Sequence, residues 1–439
     1  MSRLQSLLTG CTAVIVFSLF SLSAVKAEEY SLDELYRISL ERSERIMISR
    51  EDLYITAREK DRAFSALLPR LTAYGTYTQY TTSKMIASGQ YIQPDHSTAW
   101  GLRLDQSFSV SGRELTAYSI SRANIEKGRY DLAAMQESYL LQVANAYYDL
   151  VRAKKTLEIA KANRERLQKH RDAAEIRLKV GEVTKTDLLR AEAELSGAES
   201  QLIRAENTWQ FSKAFLARAA GIEGDYDIRE SAAPAAKDYT LPALRETALR
   251  ERPELKSSEV RKKVSEDEVS YTKGAYWPTM AIQGVYNKVD NKPENFFQNK
   301  ESIYGSASLN FPFFEGGLRI AEVRQAEARQ RQAQLQYEDL KKTVGIQVES
   351  AYFDFQTQKG VLSSLSDKLA FAKDNYNSVS KQYEYGLANS IDVIDANTLL
   401  LTSESQLTDA QYAYQLSLVS LQRATGTFLP AVTQKGPAE

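Results

Sequence analysis

The chain has 439 residues, a net charge of −1 at pH 7, one cysteine and two histidines. The only cysteine, Cys11, lies in an N-terminal segment that we expect to be removed, so the mature chain would have neither a disulfide nor a thiolate metal site. His96 and His170 lie in unrelated contexts, which disfavours a zinc cluster or a Ser-His-Asp triad. We therefore expect no enzymatic activity, metal or cofactor, and the near-neutral charge argues against nucleic acid as a partner.

Residues 1–27 have the pattern of a signal peptide. A basic start precedes a mostly apolar run from Leu7 to Leu22, and Val25-Lys26-Ala27 ends on small residues. This pattern predicts export, with cleavage after Ala27. A second interpretation is a lipoprotein box at Leu8-Thr9-Gly10-Cys11, with lipidation of Cys11. The apolar run continues well past that cysteine, which favours the signal peptide.

Residues 28–221 are predicted to form a first structural repeat that begins with a helix. Ser31 and Glu34 have the spacing of a capping box, ahead of an apolar periodic segment that reaches about Leu67. The proline at position 69 ends this helix, because proline cannot continue it.

Two segments with strand composition follow, at about Leu71–Tyr80 and Trp100–Phe108, on either side of a polar loop. In the second, apolar and polar residues alternate, as expected for a strand between lipid and a wet lumen. After the signal peptide no run of about 18 apolar residues occurs. Insertion into a membrane would therefore have to use such strands.

A much longer helix is predicted from Arg113 to Val180. Leucine and alanine recur there on a 4-3 spacing, which is the heptad pattern of helices packed by knobs into holes. At about 1.5 Å per residue this helix would be roughly 100 Å long. Gly181 ends it, and a shorter stripe of the same kind runs back to Gly221.

The same order of segments restarts after a linker at 222–238, so residues 239–428 are predicted to be a second structural repeat. Three residues of the first turn recur 205 positions later, as Gly181/Gly386, Asp187/Asp392 and Ala191/Ala396. A period of this length indicates duplication of a domain-sized unit. The polar tail at 429–439 is expected to be disordered.

The strand count predicts an assembly of several copies. Two repeats supply four strands, which cannot close a barrel, and an open sheet in lipid would leave backbone groups unpaired. Three copies supply twelve strands, an even number within the known range. The predicted fold is an α+β membrane protein, a trimeric channel-tunnel whose 12-stranded β-barrel is continuous with an α-helical coiled-coil barrel.

Three kinds of motif occur in a constant order: the duplicated Gly-x5-Asp turns, the strand end Phe311-Pro312-Phe313-Phe314-Glu315-Gly316-Gly317, and the pair Ala146-Tyr147-Tyr148-Asp149 and Ala351-Tyr352-Phe353-Asp354. Together they resemble the TolC-like outer-membrane efflux protein family over about residues 30–428. The resemblance implies a homotrimer in the outer-membrane lipid of a Gram-negative bacterium, with a large periplasmic part. It also implies an exit duct for efflux or type I secretion, docked to a periplasmic adaptor and an inner-membrane pump.

The resemblance places the functional residues at the two glycine turns, which would form the periplasmic end. Asp392 and Asp395 would line the aperture as rings of three carboxylates each, and such rings concentrate cations. Tyr383 would hydrogen bond towards Asp187 and help to hold the aperture shut.

One position departs from the family pattern. An arginine expected two residues after Gly386 is replaced by Ala388, and Lys185 in the first turn is the candidate substitute. The Val180-Gly181 and Gly386-Leu387 turns are similar to the family's adaptor-docking sites.

Simpler interpretations of these residues remain open. An aspartate after a helix-turn-helix glycine also fits a charge favoured by the helix dipole, and Tyr383 also fits packing on the heptad stripe. The alternative function is a periplasmic coiled-coil adaptor or scaffold without a pore. The duplicated strand pairs, each followed by a hairpin, favour the channel.

Overall fold

The computed structural model describes residues 28–230, 239–294 and 299–434. The predicted signal peptide with Cys11 and residues 231–238 of the predicted linker lie outside the described residues. The helices are α1 (Leu32–Arg42), α2 (Glu44–Ser65), α3 (Arg113–Lys179), α4 (Lys185–Ala220), α5 (Leu241–Glu251), α6 (Pro253–Lys273), α7 (Leu318–Glu384), α8 (Ser390–Thr425) and α9 (Phe428–Gln434). The strands are β1 (Glu28–Tyr30), β2 (Arg70–Gln79), β3 (Lys84–Met85), β4 (Tyr91–Gln93), β5 (His96–Ser109), β6 (Tyr226–Ile228), β7 (Thr279–Lys292) and β8 (Glu301–Asn310).

Two helical hairpins make up most of the structure. The outgoing helices α3 and α7 have 67 residues each, and the returning helices α4 and α8 have 36 each. At about 1.5 Å per residue, α3 and α7 are each roughly 100 Å long, as the heptad stripe predicts. Among the described residues, no helix is both long enough and apolar enough to cross a membrane.

The helix predicted from Ser31 to Leu67 is in fact two helices. The capping box is present, with the backbone N–H of Ser31 donating to Glu34 Oε2 at 2.6 Å. However, Ser43 adopts an extended backbone conformation (φ −67°, ψ 125°) and separates α1 from α2. Arg252 separates α5 from α6 in the same way, because the proline after it disfavours helical backbone at this position.

The larger sheet has the strand order β2-β5-β7-β8, and every pairing is antiparallel. The pairing of β5 with β7 runs from His96↔Lys292 to Ser109↔Thr279. β5 is therefore longer than the predicted strand at Trp100–Phe108, because cross-strand pairing continues beyond the segment with strand composition. Within the described residues, β2 and β8 have no strand partner on their outer edges.

The largest cluster of buried apolar residues lies where α1, the middle of α3, the end of α4 and α9 meet. It includes Leu35, Leu140, Tyr147 and Leu216, all at most 2% exposed. A second cluster joins α5, α7 and the end of α8. These clusters fix the helices far from the turns that follow α3 and α7. The turns therefore lie at the end of each long hairpin that is distant from the packed clusters.

Two segments predicted to be irregular belong to the larger cluster. Within the predicted linker at 222–238, β6 pairs in parallel with β1, and Tyr226 is buried. Within the tail at 429–439 that was expected to be disordered, the described residues 429–434 instead belong to α9. Phe428 packs edge-on against Tyr36, with ring centroids 5.4 Å apart, and Val432 is buried beside them. Polar composition did not reveal the helix, because two well-placed apolar side chains are enough to anchor it.

Candidate functional site

The two hairpin turns, residues 180–184 and 385–389, are built alike and together form what we call the tip. Gly181 (φ 79°) and Gly386 (φ 74°) have left-handed backbone conformations that favour glycine. The N–H after each glycine closes the helix end, from Glu182 to the Arg177 carbonyl at 2.9 Å and from Leu387 to the Gln382 carbonyl at 2.8 Å. The glycines therefore set the direction in which each returning helix leaves.

Asp187 and Asp392 both cap the helix that follows the turn. Asp187 Oδ2 accepts hydrogen bonds from the Thr184 backbone N–H at 3.0 Å and the Thr184 hydroxyl at 2.7 Å. Asp392 Oδ2 accepts from the Asn389 N–H at 2.9 Å, and the Asp392 N–H donates to Asn389 Oδ1 at 3.0 Å. The bonds from Thr184 hold the pKa of Asp187 below its usual value. A local capping role is thus present at both positions.

Asp392 and Asp395 lie one turn apart on the exposed face of α8. Val393, Ile394 and Ala396 are buried on the packed side of the same helix. Two carboxylates therefore point away from the protomer's own packing, next to the tip. This arrangement leaves them available to a lumen or to another molecule.

Tyr383 does not make the hydrogen bond to Asp187 that was expected. Its side chain is buried, and within the described part of the chain its hydroxyl has no hydrogen-bond partner. The carboxylate of Asp187 is instead used by Thr184. Burial raises the pKa of Tyr383, and the Asp187 charge adds to this effect while the Arg177 guanidinium opposes it.

Arg177 is the residue that joins the two turns, and the sequence interpretation missed it. Its guanidinium carbon lies 4.3 Å from the ring centroid of Tyr383, and its Nη2 donates to the carbonyl oxygen of Glu384 at 2.8 Å. These contacts bind the end of α3 to the end of α7. A comparison of the two repeats could have identified Arg177. The position 205 residues later is Gln382, so the cation is present in the first repeat and absent from the second.

Lys185, the candidate substitute for the missing arginine, lies at the exposed first position of α4. It forms no ion pair and no side-chain hydrogen bond with any other described residue. The geometry therefore assigns the cationic contact between the turns to Arg177.

Near the tip, α3 and α8 meet through hydrogen-bonded side chains, which we call the polar seam. His170 Nε2 lies 3.0 Å from Ser390 Oγ, and Asn397 Nδ2 donates to Asn163 Oδ1 at 2.8 Å. Between these two contacts on α3, Arg166 Nη2 pairs with Glu404 Oε2 at 3.2 Å. The members of the polar seam are Asn163, Arg166 and His170 on α3 and Ser390, Asn397 and Glu404 on α8.

The outermost side chains of the tip are apolar and accessible. Val180 is 66% exposed and Leu387 is 79% exposed. A methyl group added at Gly181 or Gly386 would have no described atom within 4 Å apart from those of the glycine and its two chain neighbours. The tip can thus be approached closely by another protein surface. In the described ranges, no group of three His, Cys, Asp or Glu side chains is placed to hold a metal ion.

The family model described as Outer membrane efflux protein matches residues 38–222 and 244–427. Outer membrane protein TolC of Vibrio cholerae is 24% identical over 420 residues, covering 92% of each chain. The TolC protein of Escherichia coli is 23% identical over 409 residues, covering 87% of this chain and 80% of that protein. The crystal structure of the Campylobacter jejuni CmeC outer membrane channel superposes with a TM-score of 0.78 at 17% identity, over 90% of this chain and 86% of that one.

Proposed function

The chain belongs to the outer membrane efflux protein family, and on this basis we propose that three copies form one continuous duct whose aperture is at the tip. The protein is an outer-membrane exit duct for efflux or secretion systems, with a large periplasmic part. The proposal that the aperture lies at the tip rests on the pair of exposed carboxylates, Asp392 and Asp395, beside the turn at Gly386.

The open edges of the four-stranded sheet support the trimer. Strand edges with unpaired backbone groups are not tolerated in lipid. Pairing β8 of one copy with β2 of the next would remove every edge and close a barrel of twelve strands. The helical hairpins of three copies would then surround a tube continuous with the barrel. The equal lengths of α3 and α7, and of α4 and α8, support an origin by internal duplication.

Threefold symmetry would turn the exposed aspartates into two acidic rings at the narrow end of the tube. Such rings attract cations and repel anions, because the charges face one another across a confined space. Arg177, packed on Tyr383, holds the two turns of each protomer together and so favours a closed aperture. Asp187 acts by capping α4, which keeps the first turn in place.

The partners follow from the accessible tip. We assign Val180, Gly181, Gly386 and Leu387 to docking of a periplasmic adaptor, which links the duct to an inner-membrane pump. Their exposed apolar side chains and open backbone suit a protein contact. The alternative of a periplasmic scaffold without a pore is set aside, because the family consists of outer-membrane proteins.

The test is single-channel recording of the mature chain in planar bilayers, comparing wild type with the Asp392→Asn/Asp395→Asn variant. The matched control is Asp409→Asn, since Asp409 is exposed on the same helix but further from the tip. We expect a low, cation-selective conductance whose selectivity falls in the double variant and persists in the control. Selectivity that survives in the double variant would move the constriction elsewhere, and a chain that never inserts would refute the duct.

A further inference from the structure

We propose that His170 is a positioning residue of the closed tip, and that protonation of its imidazole loosens the contact between α3 and α8. The proposal rests on the proposed function, because it gives the aperture a pH response. His170 contacts both of the helices that carry the second turn. Its Nε2 lies 3.0 Å from the hydroxyl of Ser390, the first residue of α8, and its ring lies 5.1 Å from that of Tyr383 near the end of α7.

The location of Ser390 connects the imidazole to the aperture. Ser390 is buried and immediately follows the capping residue Asn389. Asp392 and Asp395 lie in the first two turns of the same helix. A shift at Ser390 would therefore move the two carboxylates, since a helix transmits displacement along its axis as a rigid unit.

The surroundings of His170 accept a neutral ring better than a charged one. His170 is 7% exposed, and within the described chain its ring bonds to the hydroxyl of Ser390 and to no carboxylate. The guanidinium of Arg177, which packs on the ring of Tyr383, is the nearby cation. A serine hydroxyl can bond either protonation state, so the bond to Ser390 does not offset the cost of a buried charge.

The other charged groups around the ring are already paired or turned elsewhere. On α7, Glu384 offers only its carbonyl oxygen, to Arg177. The charged residues with partners of their own are Lys169 (with Glu165), Arg171 (with Glu175), Arg166 (with Glu404), Asp187 (with Thr184) and Asp392 (with Asn389). None of these provides a counter-charge to the imidazole.

The direction of the pH response follows from linkage. Burial, with a further contribution from Arg177, lowers the pKa of His170 below the ordinary value. A ring released into water would titrate near the ordinary pKa of about 6.5. The loosened state therefore binds the proton more tightly, so the closed arrangement is favoured above about pH 6.5 and weakens as the pH falls below it. The equilibrium changes by at most about tenfold for each pH unit in each protomer.

The test is hydrogen exchange at residues 390–400 of the detergent-solubilised mature chain, at pH 5.5 and 7.5, expressed as protection relative to intrinsic exchange. We expect protection in the wild type to fall several-fold at pH 5.5, and protection in His170→Gln to be independent of pH. His96→Gln is the matched control, because His96 is the chain's only other histidine. Glu137→Gln is a second control, because Glu137 lies in α3 far from the tip and burial raises its pKa to about 7.

Arg177→Gln provides a second route should His170→Gln fail to fold. Without the guanidinium the pKa of His170 rises towards its ordinary value, so the fall in protection at pH 5.5 should be smaller than in wild type. Constant protection in the wild type, or an undiminished fall in His170→Gln, would overturn the proposal. Because hydrogen exchange does not need a pore, a channel that fails to conduct would refute the proposed function and leave this test intact. Conductance that rises at pH 5.5 in wild type but not in His170→Gln would support both the duct and the role of His170 at its aperture.

Discussion

Replacing Glu137 with glutamine should stabilise the protein at pH 8 and stabilise it much less at pH 5. Glu137 lies in the middle of α3 and is 0% exposed. Its Oε2 lies 3.8 Å from Arg423 Nη1, whereas Arg423 Nη2 lies only 2.5 Å from Glu254 Oε1. The arginine is thus committed to Glu254, and in the described structure Glu137 Oε2 has no hydrogen-bond partner.

The magnitude follows from the pKa of this carboxyl group. Burial raises the pKa of Glu137 from 4.5 to about 7, with the Arg423 charge opposing and the Glu254 charge adding to the effect. A raised pKa in the folded state stabilises the fold below pH 4.5, and this contribution is lost as the pH rises through 7. At about 1.4 kcal/mol per pH unit, the higher pKa in the folded state lowers the free energy of unfolding by about 3 kcal/mol at pH 8 and about 1 kcal/mol at pH 5. Glutamine mimics the neutral acid and avoids this cost.

The assay is thermal unfolding followed by far-UV circular dichroism at pH 5 and pH 8, at one scan rate. The Glu137→Gln midpoint should exceed that of wild type by a few degrees at pH 8, and the difference should shrink at pH 5. Glu126→Gln removes the same charge from an exposed position of α3 and should change neither midpoint. A Glu137→Gln midpoint at or below that of wild type at pH 8 would refute the reasoning, since the ion pair with Arg423 would then be net stabilising.

Two further variants test the packing that anchors the helices. Gly426→Ala should lower the free energy of unfolding by about 2 kcal/mol or more, because Gly426 has φ +72° and its added Cβ would lie 2.8 Å from the Arg252 backbone. Gly316→Ala, with φ +61° in open space, should lower it by only about 1 kcal/mol; equal losses in thermal unfolding of the two variants would contradict the clash with Arg252. Phe428→Ala should lower the free energy of unfolding by about 3–5 kcal/mol, because it opens a cavity beside Tyr36. Thr433→Ala, at an exposed position of α9, should have little effect; a small loss for Phe428→Ala would show that α9 contributes little to the stability of the fold.

Some features of the tip were predictable because they depend on neighbours in the chain. Each glycine turn requires a left-handed backbone conformation at a single residue. The capping boxes at Thr184/Asp187 and Asn389/Asp392 involve residues that are only three positions apart. The interpretation of these aspartates as N-terminal helix charges was therefore available before any fold. The length of α3 was equally accessible, since the helical period begins at Arg113 and the turn glycine Gly181 ends it.

Contacts between distant residues could not be obtained in this way. Arg177 meets Tyr383 and His170 meets Ser390 across more than 200 positions. These pairs depend on the axial position and rotation of α3 against α7 and α8, which the large buried clusters set far from the tip. A shift of one residue in that packing would turn a side chain by about 100° around its helix and separate the pair.

The turns, the caps and the helical stripes are thus properties of the amino-acid sequence, because their energies come from groups within a few residues of one another. The strand order, the parallel pairing of β1 with β6, the docking of α9 and the Arg177 and His170 contacts depend on the packed fold. Each of these joins segments that only the shared burial of apolar surface brings together, and local patterns contain no information about which segments will share it.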